Sequence, residues 1–335
     1  MMIPTPEYSY LSERKSDESY FDYFIRLAEN KDTYRLRWED IAKLLNRQNG
    51  HDYGESAYRK FYNAFQAGRD YESGKSAVRV ADRILCISDL HFPFCLPIGA
   101  FEQYKHGADT LILNGDLLDM QSISKFQKSY RISPLEEMIG CRQYLIELIE
   151  YISPKRVIIN KGNHELRFGN YLAKHLDNEM QELMPETALD LMVNDGFHHY
   201  DKRTHAKVWY EPLTKVFEGR IDVSYTGEWW CKYGKTIFAH PIAYSSGMLK
   251  TTEKAANYFY RVTSDFDTVV LAHTHKLGMY VQGGVTLYEQ GACCDTSKLC
   301  YADGGLTLPQ QQGFLYLCQD SEGAIVFDQT KLVSC

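Results

Sequence analysis

Two textures of hydrophobic patterning divide the chain near residue 80. Upstream, apolar residues recur at helical spacing in a polar background poor in Val and Ile. Downstream, short β-rich runs alternate with helical stretches. The join, AGRDYESGKSAVRVADR (67–83), carries Gly, Ser and charge without apolar rhythm and predicts a linker. Strand candidates follow: RILCIS (83–88), TLILN (110–114), RVIIN (156–160), AKVWY (206–210), KTIFAH (235–240), TVVLAH (268–273), VTLYEQ (285–290), GFLYLCQ (313–319) and GAIVFD (323–328). Several are unbroken apolar runs, the mark of strands covered on both faces. Leu135, Met138, Cys141, Leu145, Leu148 and Ile152 predict a helix over 134–152, and TTEKAANYFYRVTS another over 251–264. Alternation of strand and helix, then consecutive strands, predicts an α/β sandwich of two sheets over 83–335 behind a small all-helical domain, 1–80. Residues 166–234 read as an insert or cap.

Within the helical domain, Trp38, Ile41, Ala42, Leu44 and Leu45 share one face, a Gly-containing turn follows, and Ala57, Tyr58, Phe61, Tyr62 and Phe65 form a second face. The arrangement W-x-x-I-A-x-x-L-N…S-A-Y-R-K resembles helix-turn-helix modules. On that reading Ser56, Tyr58, Arg59 and Lys60 contact nucleic acid. The 13 basic and 13 acidic residues of 1–80 leave the domain neutral, so a protein-binding or capping role stands as the alternative.

The composition, 44% hydrophobic and 24% charged over 335 residues, suits a soluble globular chain. No apolar run approaches the ~20 residues that span a bilayer. The start, MMIPTPEYSYLSERKSDESYF, lacks an apolar signal centre, which predicts a cytoplasmic protein with no membrane partner. Nine scattered cysteines without CxxC spacing read as reduced thiols, with a metal or redox role for Cys293, Cys294 and Cys300 as a minor alternative. A formal charge of −7 argues against non-specific coating of nucleic acid, though it allows a local basic contact.

Chemistry gathers just past the strands. Asp89 and His91 follow the first; Asp116 and Asp119 the second; Asn163, His164 and Glu165 the third; His240, His273 and His275 follow later ones. Strand C-termini are where loops converge on ligands in α/β sheets. A lone DxH or HxH is ordinary turn chemistry; an ordered series of nitrogen and oxygen donors is a divalent-metal ligand set.

This series resembles the calcineurin-like metallophosphoesterases, whose signature of DxH, GDxxD, GNH[DE], H and GHxH stands here as Asp89-x-His91, Gly115-Asp116-x-x-Asp119, Gly162-Asn163-His164-Glu165, His240 and His273-x-His275, with Ala272 in place of Gly. The resemblance covers roughly 83–330. It implies a four-layer fold of two mixed sheets flanked by helices, and two divalent ions, Mn²⁺ foremost, with Mg²⁺, Fe and Zn²⁺ open. Asp116 would bridge the ions; Asp89, His91 and His275 would complete one site, and Asn163, His240 and His273 the other. A metal-bridging hydroxide would attack the phosphorus. His164 would protonate the leaving oxygen, and Asp119 would orient it or else cap the following helix.

The protein-phosphatase branch carries Arg directly after GDxxD and before GNHE; here Met120 and Lys161 occupy those positions. Both departures turn the expectation toward phosphodiesters, of DNA or a nucleotide, over a phosphomonoester or phosphoprotein; a cyclic-nucleotide diester is a further alternative. Lys161 and Arg167 are candidate substrate-binding cations. Trp229, Trp230 and Tyr233 either stack bases or belong to the core. A helix-turn-helix joined to such a catalytic domain is similar to bacteriophage proteins, which places the expected site of action in a bacterial host cytoplasm. The assembly state is open, a homo-oligomer included.

Overall fold

The computed structural model describes residues 12–75, 80–125, 131–243, 245, 247, 249–299 and 310–335. The chain forms two compact units, Met1–Val78 and Arg79–Cys335.

Three helices build the first: α1 (Tyr20–Glu29), α2 (Trp38–Asn49) and α3 (Glu55–Lys75). Ser19 caps α1 by accepting the Asp22 N–H, and Gly50 ends α2 in the left-handed conformation that a side chain disfavours. Phe24, Leu27, Ile41, Leu45, Tyr58 and Tyr62 close the core. Two readings change here. α3 continues through residues 67–75, so the first half of the expected linker is helix; residues 76–79 lie outside the described residues. Tyr58 is no groove contact: it is buried against Phe24 and its hydroxyl donates to Asn46 Oδ1 at 2.7 Å. Tyr58 and Tyr62, four apart, share the inward face, which leaves Ser56, Arg59 and Lys60 exposed.

In the second unit, one sheet has strands β1 (Asp82–Ile87), β2 (Thr110–Asn114), β3 (Arg156–Asn160), β6 (Asp222–Tyr225), β12 (Gly313–Gln319) and β13 (Lys331–Ser334), in the order β13-β12-β1-β2-β3-β6. β1, β2, β3 and β6 run parallel; β12 runs antiparallel to β1, and β13 antiparallel to β12. The other sheet orders β10 (Leu277–Gln282), β11 (Val285–Gln290), β9 (Thr268–Leu271), β8 (Thr236–Ala239) and β7 (Trp230–Tyr233), with β11, β9 and β8 parallel. Ile84, Cys86, Ile112, Phe238, Val270, Leu315 and Leu317 pack between the sheets. Their neighbours Leu85, Ile87, Leu111 and Leu113 point the opposite way, onto Cys141, Leu145 and Leu148 of α4 (Pro134–Ile152). Ile237, Ala239, Val269 and Leu271 likewise face Ala255 and Phe259 of α8 (Lys250–Val262). Alternate residues of each strand thus enter different apolar layers, which explains the unbroken runs.

Three further strand readings change. AKVWY forms β5 (Ala206–Tyr210), but pairs only with β4 (Phe197–Asp201) in an exposed hairpin. The supposed cap 166–234 surrenders its last strands to the main sheets, as β6 pairs with β3 and β7 with β8. What remains outside includes the short helices α5 (Leu166–His175), α6 (Asn178–Glu182) and α7 (Leu213–Val216). GAIVFD is not a strand: Asp320 accepts the N–H groups of Glu322 and Ala324, both at 2.9 Å, turning the chain so that β13 begins at Lys331. Among the described residues no helix is long and apolar enough to cross a membrane.

Candidate metal centre

The parallel strands of both sheets end at one place. Asp89 and His91 lie past β1, Asp116 and Asp119 past β2, Asn163 and His164 past β3, His240 past β8, and His273 and His275 past β9. The turns are abrupt: Asp89, His91, Asp116, His273 and His275 all have positive φ, between 43° and 75°. Such backbone costs a non-glycine residue roughly 1–3 kcal/mol, and it persists where the surrounding structure over-determines it. Gly115 is required by space, because a Cβ there would lie 2.6 Å from His240 Nδ1 and 2.8 Å from the Gly162 backbone.

Donor atoms converge in overlapping groups: Asp89, His91 and His275; His91, Asp116 and His164; Asp116, His240 and His273. His275 Nε2 is 3.0 Å from Asp89 Oδ1 and 3.2 Å from His91 Nε2. On the other side, His240 Nε2 is 3.2 Å from Asp116 Oδ2 and 3.3 Å from Asn163 Oδ1. Asp116 belongs to both sides. Its Oδ1 accepts the His164 N–H at 2.7 Å, while Oδ2 faces His91 and His240.

The donor set fits divalent cations. His240 Nδ1 lies 2.8 Å from the Asn114 carbonyl and His275 Nδ1 3.0 Å from Gln310 Oε1, so each Nδ1 donates outward and each Nε2 is turned into the cluster. Burial alone would lower the His240 imidazole, yet the Asp116 and Asp89 carboxylates raise it to about 10; His275 is raised beside Asp89 against the same burial. His273, half-buried and near His240, falls to about 4 through desolvation. The carboxylates therefore demand positive charge at the centre, the demand that metal ions answer.

His164 sits at the edge of the cluster. Its Nδ1 is 3.1 Å from Asp119 Oδ1, and its Nε2 is 2.9 Å from an Arg167 nitrogen. Burial, with His91 and Arg167 nearby, lowers this imidazole to about 4 although Asp116 and Asp119 pull it upward. Asp119, which burial would raise, is held well below the usual carboxylate range by His164 and His91. Of its two sequence readings the geometry favours orientation of His164: Oδ1 faces that ring at 3.1 Å, while Oδ2 accepts from the Gln121 side chain at a longer 3.4 Å. Arg167 is bound to the Asp119 carbonyl and carboxylate as well as to His164. Lys161 is half-buried, its Nζ 3.8 Å from Glu186.

Sequence reasoning left several positioning groups without a role. Glu165 accepts backbone N–H groups of Asp116, Leu117, Leu118 and Gly162 at 2.7–3.2 Å, locking the β2 loop to the β3 loop. Glu137 of α4 accepts the Met120 N–H at 2.5 Å and, through burial, is pushed up to about 8. Glu165 stood inside a quoted motif; Glu137 and Gln310 had no local signal. Trp230 packs on Phe259, and the Tyr233 hydroxyl donates to Asp82, so both are structural. His51, His106, His175, His198 and His205 are exposed and His199 half-buried. Cys293 and Cys294 are buried in apolar clusters, and Cys300 lies outside the described residues.

Residues 82–277 match the calcineurin-like phosphoesterase domain, and residues 10–77 match the YonJ N-terminal domain. The chain belongs to the calcineurin-like phosphoesterase family. The chain is similar to the SPbeta prophage-derived uncharacterized protein YonJ of Bacillus subtilis (strain 168), 45% identical over 65 residues, which are 19% of this chain and 16% of that protein, so it spans about one sixth of that relative's length. Similar solved structures include Vacuolar Protein Sorting 29 from Cryptosporidium parvum (14% identity, 72% of this chain and 87% of that one, TM-score 0.34). A novel archaeal phosphodiesterase is similar at 14% identity over 76% and 99% of the two chains, TM-score 0.34. A metallophosphoesterase from Sphaerobacter thermophilus is similar at 15% identity over 72% and 85%, TM-score 0.33.

Proposed function

We propose that the chain hydrolyses phosphodiesters of DNA or nucleotides at a dinuclear centre in a bacterial host cytoplasm, with Mn²⁺ the metal the family resemblance puts foremost and Mg²⁺, Fe and Zn²⁺ as alternatives. One observation carries the two-metal reading: Asp116 is shared by ligand groups on both of its sides. Asp89, His91 and His275 would hold one ion, and Asn163, His240 and His273 the other. When bound, the ions supply a water activated near neutral pH and a Lewis-acid grip on phosphate oxygens. His164 Nε2 would deliver a proton to the leaving oxygen after taking one up from water, since burial holds the ring near 4 in the metal-free chain; Asp119 at Nδ1 orients the ring and pulls its pKa upward. Arg167 donates at that same Nε2 and must yield to the leaving oxygen; a phosphate oxygen is its natural new acceptor.

Diester over monoester is supported by Met120, buried where the phosphatase branch has a cation, and by the ties of Arg167 to Asp119. Ser56, Arg59 and Lys60, exposed on α3, would supply phosphate contacts if the helical unit binds DNA. The test is turnover of bis-p-nitrophenyl phosphate against p-nitrophenyl phosphate by the Mn²⁺-loaded chain, then cleavage of single- and double-stranded DNA. Diester preference with DNA cleavage is expected, and Arg59→Glu with Lys60→Glu should weaken DNA binding while sparing the small diester. Monoester preference sinks the reading.

A further inference from the structure

A cavity of about 340 Å³ opens beside the metal centre, with His240 and Gly162 in its wall. That volume lies within the ~300–1,000 Å³ of small-molecule sites. The rest of the lining is unlike the centre. Trp229, Tyr258, Leu166 and Ile242 make it apolar, with Lys161 and Lys254 as its cations. Trp229 is already braced from behind, stacked on Phe259 with ring centroids 5.5 Å apart, and Tyr258 sits 5.6 Å from it. The Thr251 hydroxyl, which accepts the Ser245 N–H, is among the polar groups of the lining, and stacking on aromatic walls is tolerant of which base is held.

We propose that this cavity holds the nucleobase of the nucleotide whose phosphate lies at the metal centre, stacked on Trp229, with Lys161 and Lys254 countering the charge of the adjoining phosphates. The assignment rests on the phosphodiester reading and narrows it: the substrate is a nucleotide diester, bound with little preference for the base. An apolar, aromatic-walled cavity that shares His240 and Gly162 with the proposed phosphate-binding centre matches an aromatic ring joined to a phosphate through a sugar. A phosphoprotein side chain would leave the slot empty.

Isothermal titration of the Mn²⁺-loaded chain with dTMP and with 2-deoxyribose 5-phosphate, which lacks only the base, tests this directly. dTMP is expected to bind about tenfold more tightly, in line with stacking of one base on an aromatic side chain. Trp229→Ala should remove that margin, Trp229→Phe should keep most of it, and 2-deoxyribose 5-phosphate should bind all three proteins alike. Because Trp229 also packs on Phe259, Tyr258→Ala at a 47% exposed position is the second variant, expected to cut the margin several-fold in a folded protein. Equal affinity for the two ligands in the unaltered chain overturns the assignment, as does a margin that survives both alanine variants. Failure of the diester reading shows separately, as monoester preference on the p-nitrophenyl substrates, whatever these titrations return.

Discussion

Single side chains at the centre divide into those that hold charge and those that move a proton, and the two kinds fail differently. Asp116 Oδ2 faces His91 on one side and His240 on the other, the position of a bridging ligand in the proposed centre. Asp116→Ala should therefore abolish turnover and lower the Mn²⁺ stoichiometry read by atomic absorption. His164→Ala should retain the metal and lose about 10²–10⁴ in kcat, the usual worth of a general acid. A metal-replete, fully active Asp116→Ala protein would refute the ligand assignment. Protons report on the same atoms. His240, raised to about 10, is protonated near pH 7 in the metal-free protein, and a ligating imidazole must give up its Nε2 proton. Metal binding should thus release protons and tighten as pH rises from 6 to 8. Titration of Mn²⁺ in buffers of different ionisation enthalpy measures the release; buffer-independent heats would contradict it.

At the scale of elements, the loops past β2 and β3 are tied down by two buried acids. Glu165 joins the loops to each other, and Glu137 ties the β2 loop to α4 through Met120. Glu137 has a folded pKa of about 8 against 4.5 when exposed, because burial disfavours its charge. Its protonated form is favoured in the fold, so the associated stability is complete below pH 4.5, declines as pH rises toward 8, and is then gone. The loss by pH 7 is on the order of 3 kcal/mol. Glu137→Gln keeps an oxygen for Met120 and carries no charge. Its urea midpoint should match the wild type near pH 4.5 and exceed it near pH 7.5; parallel pH profiles would refute the burial argument. The strands carrying these loops were legible from their apolar runs, since a strand covered on both faces has no polar side to show. β6 and β7 were not, because each is short, half-buried and borrows its pairing from a distant partner.

Across the whole molecule, metal links the centre to the stability of the larger unit. Ligand at one hundred times its Kd stabilises a folded state by about 2.7 kcal/mol, and ~1 kcal/mol moves the Tm of a unit this size by roughly 2–4 °C. Chelation should lower the calorimetric transition of the Arg79–Cys335 unit by several degrees and leave that of the helical unit where it was. A shift shared equally by both transitions would contradict separate cores.

The sequence by itself determined the family, the order of the donor residues and the kind of element each one follows. Those properties are local, written in residues two or three apart behind an apolar run. The tertiary structure alone decided that Asp116 turns the same oxygen, Oδ2, toward His91 and His240, that Gln310 and Asn114 turn two imidazoles inward, that Tyr58 belongs to a core, and that Trp229 borders a cavity. Each of these depends on distances between segments far apart in the chain, and no local pattern encodes a distance that only the packing of layers sets.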